Sequence, residues 1–67
     1  MIKIPIDCNY NYLGPDKPII SEPKIKEFNL LLNQKVIACQ EDEEWVGIIK
    51  FEESCPEHMQ WYIQLQE

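Results

Sequence analysis

Hydrophobic and polar residues alternate in several short segments of the chain, a pattern with period two that predicts half-buried β-strands. In the first segment the alternation places Ile2, Ile4 and Ile6 on one face. Pro5 lies inside this segment and has no N–H group to donate, which predicts a strand at the edge of a sheet. The alternation is clearest over residues 59–66, where one face carries the apolar side chains Met59, Trp61, Ile63 and Leu65.

One segment has helical rather than strand periodicity. Ser21 is a typical N-cap residue, and Pro23 is well placed in a first helical turn because no N–H is needed there. The apolar side chains that follow form one stripe at helical spacing: Ile25, Phe28, Leu31 and Leu32. The pattern predicts an amphipathic helix that begins after Ser21 and ends near residues 33–34.

Two further strands are predicted over residues 35–41 and 45–53, joined by an acidic turn at 41–44. If Gln40 faces Trp45 across a four-residue turn, both faces of the hairpin are largely apolar. One face holds Val36, Ala38, Gln40, Trp45, Gly47, Ile49 and Phe51, and the other holds Ile37, Cys39, Val46, Ile48 and Lys50. One helix covers only one face. The second face must therefore be covered by the loop over 7–21, by closure of the sheet into a barrel or by a second copy of the chain.

The predicted order of elements is therefore β-α-β-β-β within a single small domain, residues 1–67. Short connections between the last three strands favour an antiparallel meander. We expect an α+β fold in which this three-stranded meander packs on one helix, and a small SH3-like β-barrel is the alternative. A chain of this length buries only about 60% of its unfolded surface, so its core must be thin.

The distribution of charge along the chain excludes more classes of function than the overall composition does. The chain has six Lys, no Arg and twelve Asp or Glu, for a net charge of −6. In residues 1–34 four Lys balance four acids, whereas in residues 35–67 two Lys oppose eight acids, so all the net charge lies in the second half. Nucleic-acid binding draws on clustered Lys and Arg, and it is therefore not expected.

Three further features of the sequence predict the cellular compartment of the protein. No apolar run approaches the roughly 18 residues of a membrane span, and the first residues do not resemble a signal peptide. Three Cys leave at least one thiol unpaired, which is typical of a reducing compartment. We expect a cytoplasmic protein with no membrane partner.

Candidate chemistry is sparse. Cys55 and His58 lie three residues apart in a predicted turn, and Cys8 and Cys39 could complete a zinc site. The two close ligand pairs of a typical structural zinc site are missing, because Cys8 and Cys39 are far apart in the sequence. The same residues cannot supply a nucleophile, base and stabiliser together. We therefore predict no catalytic residue, no metal and no cofactor.

The remaining candidate is a surface for another protein. The acids at 41–44 predict a negative hairpin tip, and nearby aromatic side chains could anchor a partner. The predicted partner-binding residues are Glu41, Asp42, Glu43, Glu44, Trp45, Tyr10 and Tyr12. The leading hypothesis is a non-enzymatic interaction module that binds a basic protein surface, such as a small inhibitor, immunity protein or regulatory protein. The alternatives are a constitutive structural homodimer, which we also expect from the two apolar faces, and an SH3-like peptide-binding barrel.

Overall fold

A computed structural model of the chain describes residues 1–6, 13–14 and 16–66. It is a small domain with a four-stranded mixed sheet and one short helix, an architecture compatible with the α+β class. Its elements are β1 (Lys3–Pro5), α1 (Glu22–Glu27), β2 (Lys35–Gln40), β3 (Glu43–Phe51), a 3₁₀ turn (Glu57–Met59) and β4 (Trp61–Leu65). The strands are ordered β1-β2-β3-β4, with β1 parallel to β2 and the other neighbours antiparallel.

The core lies on one face of this sheet, which we call the inner face. The residues that the strands contribute to it are fully buried: Ile4, Val36, Ala38, Ile49 and Ile63. Ile20, Ile25 and Leu30 complete the core from the segment that contains α1. The alternation therefore predicted the buried face of β4 correctly, and the hairpin face that it grouped around Val36, Ala38 and Ile49 is the buried one. Trp61, on the predicted buried face of β4, is only half-buried and packs edge-to-face on Phe51 with ring centroids 4.9 Å apart.

The hairpin between β2 and β3 is tighter than the sequence predicted. Gln40 pairs with Glu43, so only Glu41 and Asp42 form the connection, and the expected pairing of Gln40 with Trp45 is wrong. Two-residue connections suit the right-handed twist of paired strands, whereas the four acids had suggested a wholly solvated turn. Because the register differs by two residues, every side chain keeps the face that was predicted for it.

This tight turn places Glu41 in a conformation that its side chain disfavours. Its φ is +54°, in the left-handed region, where a Cβ atom crowds the backbone. Asn adopts this region more readily than Glu. We expect Glu41→Asn to raise the free energy of unfolding by about 0.5–1 kcal/mol, measured by urea denaturation. Glu41→Gln is the matched control, because it removes the same charge without the backbone preference. Equal effects of the two substitutions would contradict a backbone cause.

Helix α1 is shorter than predicted and ends at Glu27. Asn29 has a φ of +54° and its N–H donates to the Lys26 carbonyl, while the Leu30 N–H donates to the Ile25 carbonyl. These two bonds form a Schellman motif, which ends a helix when Asn or Gly follows the C-cap. The prediction that the helix continues to residues 33–34 is therefore wrong. In the described part of the chain, no helix is long and apolar enough to span a membrane.

Both edges of the sheet are covered or shortened. Residues 16–20, which the sequence predicted as loop, run antiparallel along β4, with Leu65 and Ile63 donating to the carbonyls of Asp16 and Pro18. The opposite edge is β1, as Pro5 predicted, and the Lys24 ammonium donates to the Pro5 carbonyl at 3.1 Å. A short strand with a Pro and a capped carbonyl is a poor template for edge-to-edge pairing.

Candidate functional site

The predicted acidic site lies at the tip of the β2–β3 hairpin. Glu41 and Asp42 form the turn, Glu43 and Glu44 begin β3, and all four are exposed. The antiparallel ladder on both sides fixes the direction in which this tip projects. Tyr10 and Tyr12, the aromatic residues predicted to assist it, lie outside the described residues.

Glu44 differs from its neighbours because it has a cationic partner. Its carboxylate lies 3.0 Å from the Lys3 ammonium of β1. The hydrogen bond and the negative charge of Glu44 raise the pKa of Lys3 above its ordinary value. The negative hairpin tip predicted from residues 41–44 is therefore partly neutralised at Glu44. Parallel pairing between β1 and β2 creates this contact, and no local sequence pattern predicts that these two strands pair.

Three acids at the tip have no such partner. Within the described residues, no Lys lies within ion-pair distance of Glu41, Asp42 or Glu43. We call these three residues the acidic tip. Like charges on consecutive residues add to a local negative potential, which extends about 10 Å into solvent at 0.1 M salt. The acidic tip can therefore attract a positively charged surface.

The three acids that follow β3 do not reinforce this field. Glu52, Glu53 and Glu57 follow the end of β3, whereas the acidic tip precedes or begins that strand. A strand of nine residues separates the two groups by about 26 Å, which exceeds a Debye length at physiological salt. The run of acids in the sequence thus forms two separate surfaces at opposite ends of the sheet.

Trp45 is less available to a partner than the sequence suggested. It lies on the inner face in register with Ala38, is half-buried and packs against the core. Only part of its ring is left for an interaction. Trp45 still places an aromatic side chain next to the carboxylates of the acidic tip, because it lies two residues after Glu43 in β3.

The opposite side of the sheet, which we call the outer face, is partly apolar. Ile37 and Ile48 are half-buried and Val46 is 38% exposed. Polar and charged side chains share this face according to the register of the strands: Lys3, Lys35, Glu44, Lys50, Tyr62 and Gln64. Helix α1 lies on the other side, since Ile25 belongs to the inner core.

The residues considered for zinc do not come together. Cys39 is in β2 near the acidic tip, where its Sγ lies 3.9 Å from Glu44 Oε2. Cys55 and His58 lie in the connection after β3, at the other end of that strand. Among the described residues, no group of three or more His, Cys, Asp or Glu side chains could hold a metal ion. Cys8 lies outside the described residues.

Sequence reasoning did not identify a shallow depression between α1 and the 3₁₀ turn. Its volume is about 320 Å³ and it is open to solvent. Ser21, Glu22, Pro23, Glu57 and His58 line it.

Two surfaces therefore stand out: the acidic tip by its charge and the outer face by its apolar side chains. The acidic tip is the better-defined candidate for an interaction surface, because its carboxylates are exposed and lack cationic partners in the described structure. Comparisons with protein-family models, with curated proteins and with solved structures find no match to this chain.

Proposed function

We propose that this protein is a non-enzymatic interaction module whose acidic tip docks on a basic surface of another protein. The observation that carries the proposal is the exposure of Glu41, Asp42 and Glu43 without a cationic partner among the described residues. A folded chain gains nothing in stability from three adjacent like charges, which repel one another. A complementary surface on a partner would relieve that repulsion.

The shape of the tip supports the same function. A two-residue turn between paired strands forms a narrow ridge whose backbone is held by the strand ladder, so the backbone needs little ordering on binding. Such a ridge fits a basic groove, and its field accelerates encounter with that groove. An inhibitor, an immunity protein or a regulatory protein of this size would each use the surface in this way.

The first experiment is capture of the partner at two salt concentrations. We expect the parent chain to retain a basic protein at 50 mM salt and to lose it at 500 mM, because screening weakens exposed charge pairs. The triple variant Glu41→Gln, Asp42→Asn, Glu43→Gln should not retain it. The variant Glu22→Gln, Glu27→Gln, Glu57→Gln changes the net charge equally at other positions and should bind like the parent. Equal capture by both triple variants would contradict the role of the tip.

A homodimer is a second candidate, and the outer face is the observation that favours it. Val46 is exposed at the centre of that face, beside the half-buried Ile37 and Ile48. The face also carries both signs of charge, Lys35 and Lys50 against Glu44, so two copies could pair around a two-fold axis. A dimer of this kind is compatible with an acidic tip at the edge of each copy.

A substitution at the outer face tests the dimer. We expect the parent chain to sediment with twice the 8.0 kDa mass of one chain. Val46→Lys should return it to one chain, because two ammonium groups would face each other across the axis. The fold should persist, since this side chain is already partly in solvent. A parent mass of 8.0 kDa at every concentration would refute the dimer.

The SH3-like peptide-binding barrel stays a prediction. Its binding surface would depend on aromatic rings, and Tyr10 and Tyr12 lie outside the described residues. The half-buried Trp45 and the Phe51–Trp61 pair are the rings that the described structure offers it.

A further inference from the structure

Two leucines are held in solvent on a well-formed turn between α1 and β2. Leu31 is 71% exposed and Leu32 is 53% exposed. The Gln34 N–H donates to the Leu31 carbonyl at 3.1 Å, and the Leu31 N–H donates to the Gln34 side-chain oxygen at 2.9 Å. Asn33 has a φ of +69°, which suits the third position of a type II turn. The leucines are therefore exposed by a defined structure.

Hydrogen bonds fasten this turn to β3. The Asn33 N–H donates to the Ile49 carbonyl at 2.8 Å, and the Ile49 N–H donates to the Gln34 carbonyl at 2.9 Å. The Lys50 ammonium also donates to the Asn33 side-chain oxygen at 2.8 Å. The turn is thus placed at the end of the sheet that carries Phe51, which is 40% exposed. We call Leu31, Leu32 and Phe51 the leucine patch.

The charges next to the leucine patch are mainly negative. Glu52 and Glu53 directly follow Phe51, and Glu57 lies in the same connection. Two cations lie nearby, Lys50 held at the turn and Lys35 directly after it, so acids outnumber Lys by three to two. Hydrogen bonds from Ser54 to its carboxylate lower the pKa of Glu52 below its ordinary value. Exposed apolar side chains rimmed by polar groups are typical of interaction surfaces. This surface combines apolar contacts with an excess of negative charge.

We infer that the leucine patch binds an amphipathic segment of a protein partner that carries apolar side chains on one face and Lys or Arg beside them. The apolar face would cover Leu31, Leu32 and Phe51, and the basic residues would lie near Glu52 and Glu53. This surface is separate from the acidic tip, because β3 spans the distance between them. The inference therefore does not rest on the proposed function of the tip.

The experiment uses the full chain and two synthetic peptides. The first is an 18-residue helical peptide of Leu and Lys with the leucines on one face, and the second has the same composition in scrambled order. Binding is followed by amide chemical shifts of the ¹⁵N-labelled chain. We expect the amphipathic peptide to bind about tenfold more tightly than the scrambled one, since only it presents its leucines together. The shifts should centre on residues 31–34 and 51–53.

Variants assign the binding to the patch. Leu31→Ser with Leu32→Ser should weaken the amphipathic peptide about tenfold, and Leu31→Lys alone should do so by repulsion if the double variant is unstable. Gln66→Ser is the control, because it shortens an exposed side chain at the other end of β3, where the Gln66 N–H donates to the Val46 carbonyl, and it should bind like the parent. Equal affinity for both peptides, unchanged affinity of the Leu variants, or shifts centred on the acidic tip would each overturn the inference. So would a doubled mass that Leu31→Lys abolishes, since a second copy would then occupy the patch.

Discussion

Ile63→Ala should lower the free energy of unfolding by about 2–5 kcal/mol, the usual range for removing three methyl or methylene groups from a core. Ile63 is fully buried in β4 and faces Ile49 of β3 on the inner face. Its neighbours are held by the strand ladder, so they cannot close the cavity. Small domains have little stability to lose, and this variant should unfold at a far lower urea concentration than the parent.

The matched control for Ile63→Ala lies on the other side of the same sheet. Val46 is 38% exposed on the outer face, so Val46→Ala should cost less than about 1 kcal/mol. Urea denaturation followed by circular dichroism measures both changes. If Val46→Ala destabilised the chain as much as Ile63→Ala, the assignment of the inner and outer faces would be inverted.

Gly47→Ala is the second substitution with a large expected effect. Gly47 lies on the inner face of β3 opposite Leu65, and an added Cβ would overlap the Cγ2 methyl of Ile63. It would also lie 3.3 Å from the Gln64 carbonyl oxygen, which the ladder holds in place. We expect a loss of about 1–3 kcal/mol from this overpacking.

A double-mutant cycle separates overpacking from a general loss of stability. In the Ile63→Ala background the added Cβ of Gly47→Ala enters the space that the Ile side chain has left. The double variant should therefore be more stable than the sum of the two single effects predicts. Strict additivity would show that the added methyl does not meet Ile63.

Much of the fold could be predicted because its signal is local. Alternation with period two grouped Val36, Ala38 and Ile49 on one face of the hairpin and put Ile63 on the buried face of the last strand, and this grouping survived a two-residue error in register. It did not say which of the two apolar hairpin faces is buried, because that depends on where α1 packs. The overlong helix is different, because its stripe continued through Leu31 and Leu32 while Asn29 ended the helix by a Schellman motif. Asn29 was a usable sign that the helix ends there. It could be recognised as such only if Leu30 was known to pack in the core.

Long-range pairing explains the parts that the sequence could not predict. Residues 16–20 join the sheet through carbonyl acceptors of Asp16 and Pro18, which no side-chain pattern announces. The ion pair between Lys3 and Glu44 depends on β1 lying parallel to β2. The positions of the acids also depend on the fold. The acids between Glu41 and Glu57 form two separate surfaces, because β3 lies between the two groups.

The proposed function requires that the acidic tip recognise a basic surface through its charge. The direct measurement is stopped-flow association with the captured partner over a series of salt concentrations. The parent and the variant Glu22→Gln, Glu27→Gln, Glu57→Gln should associate fast at low salt and slow steeply as salt rises. The variant Glu41→Gln, Asp42→Asn, Glu43→Gln should associate more slowly and with a flatter salt dependence, at unchanged stability. An on-rate and salt slope equal to those of the parent in this tip variant would contradict the claim.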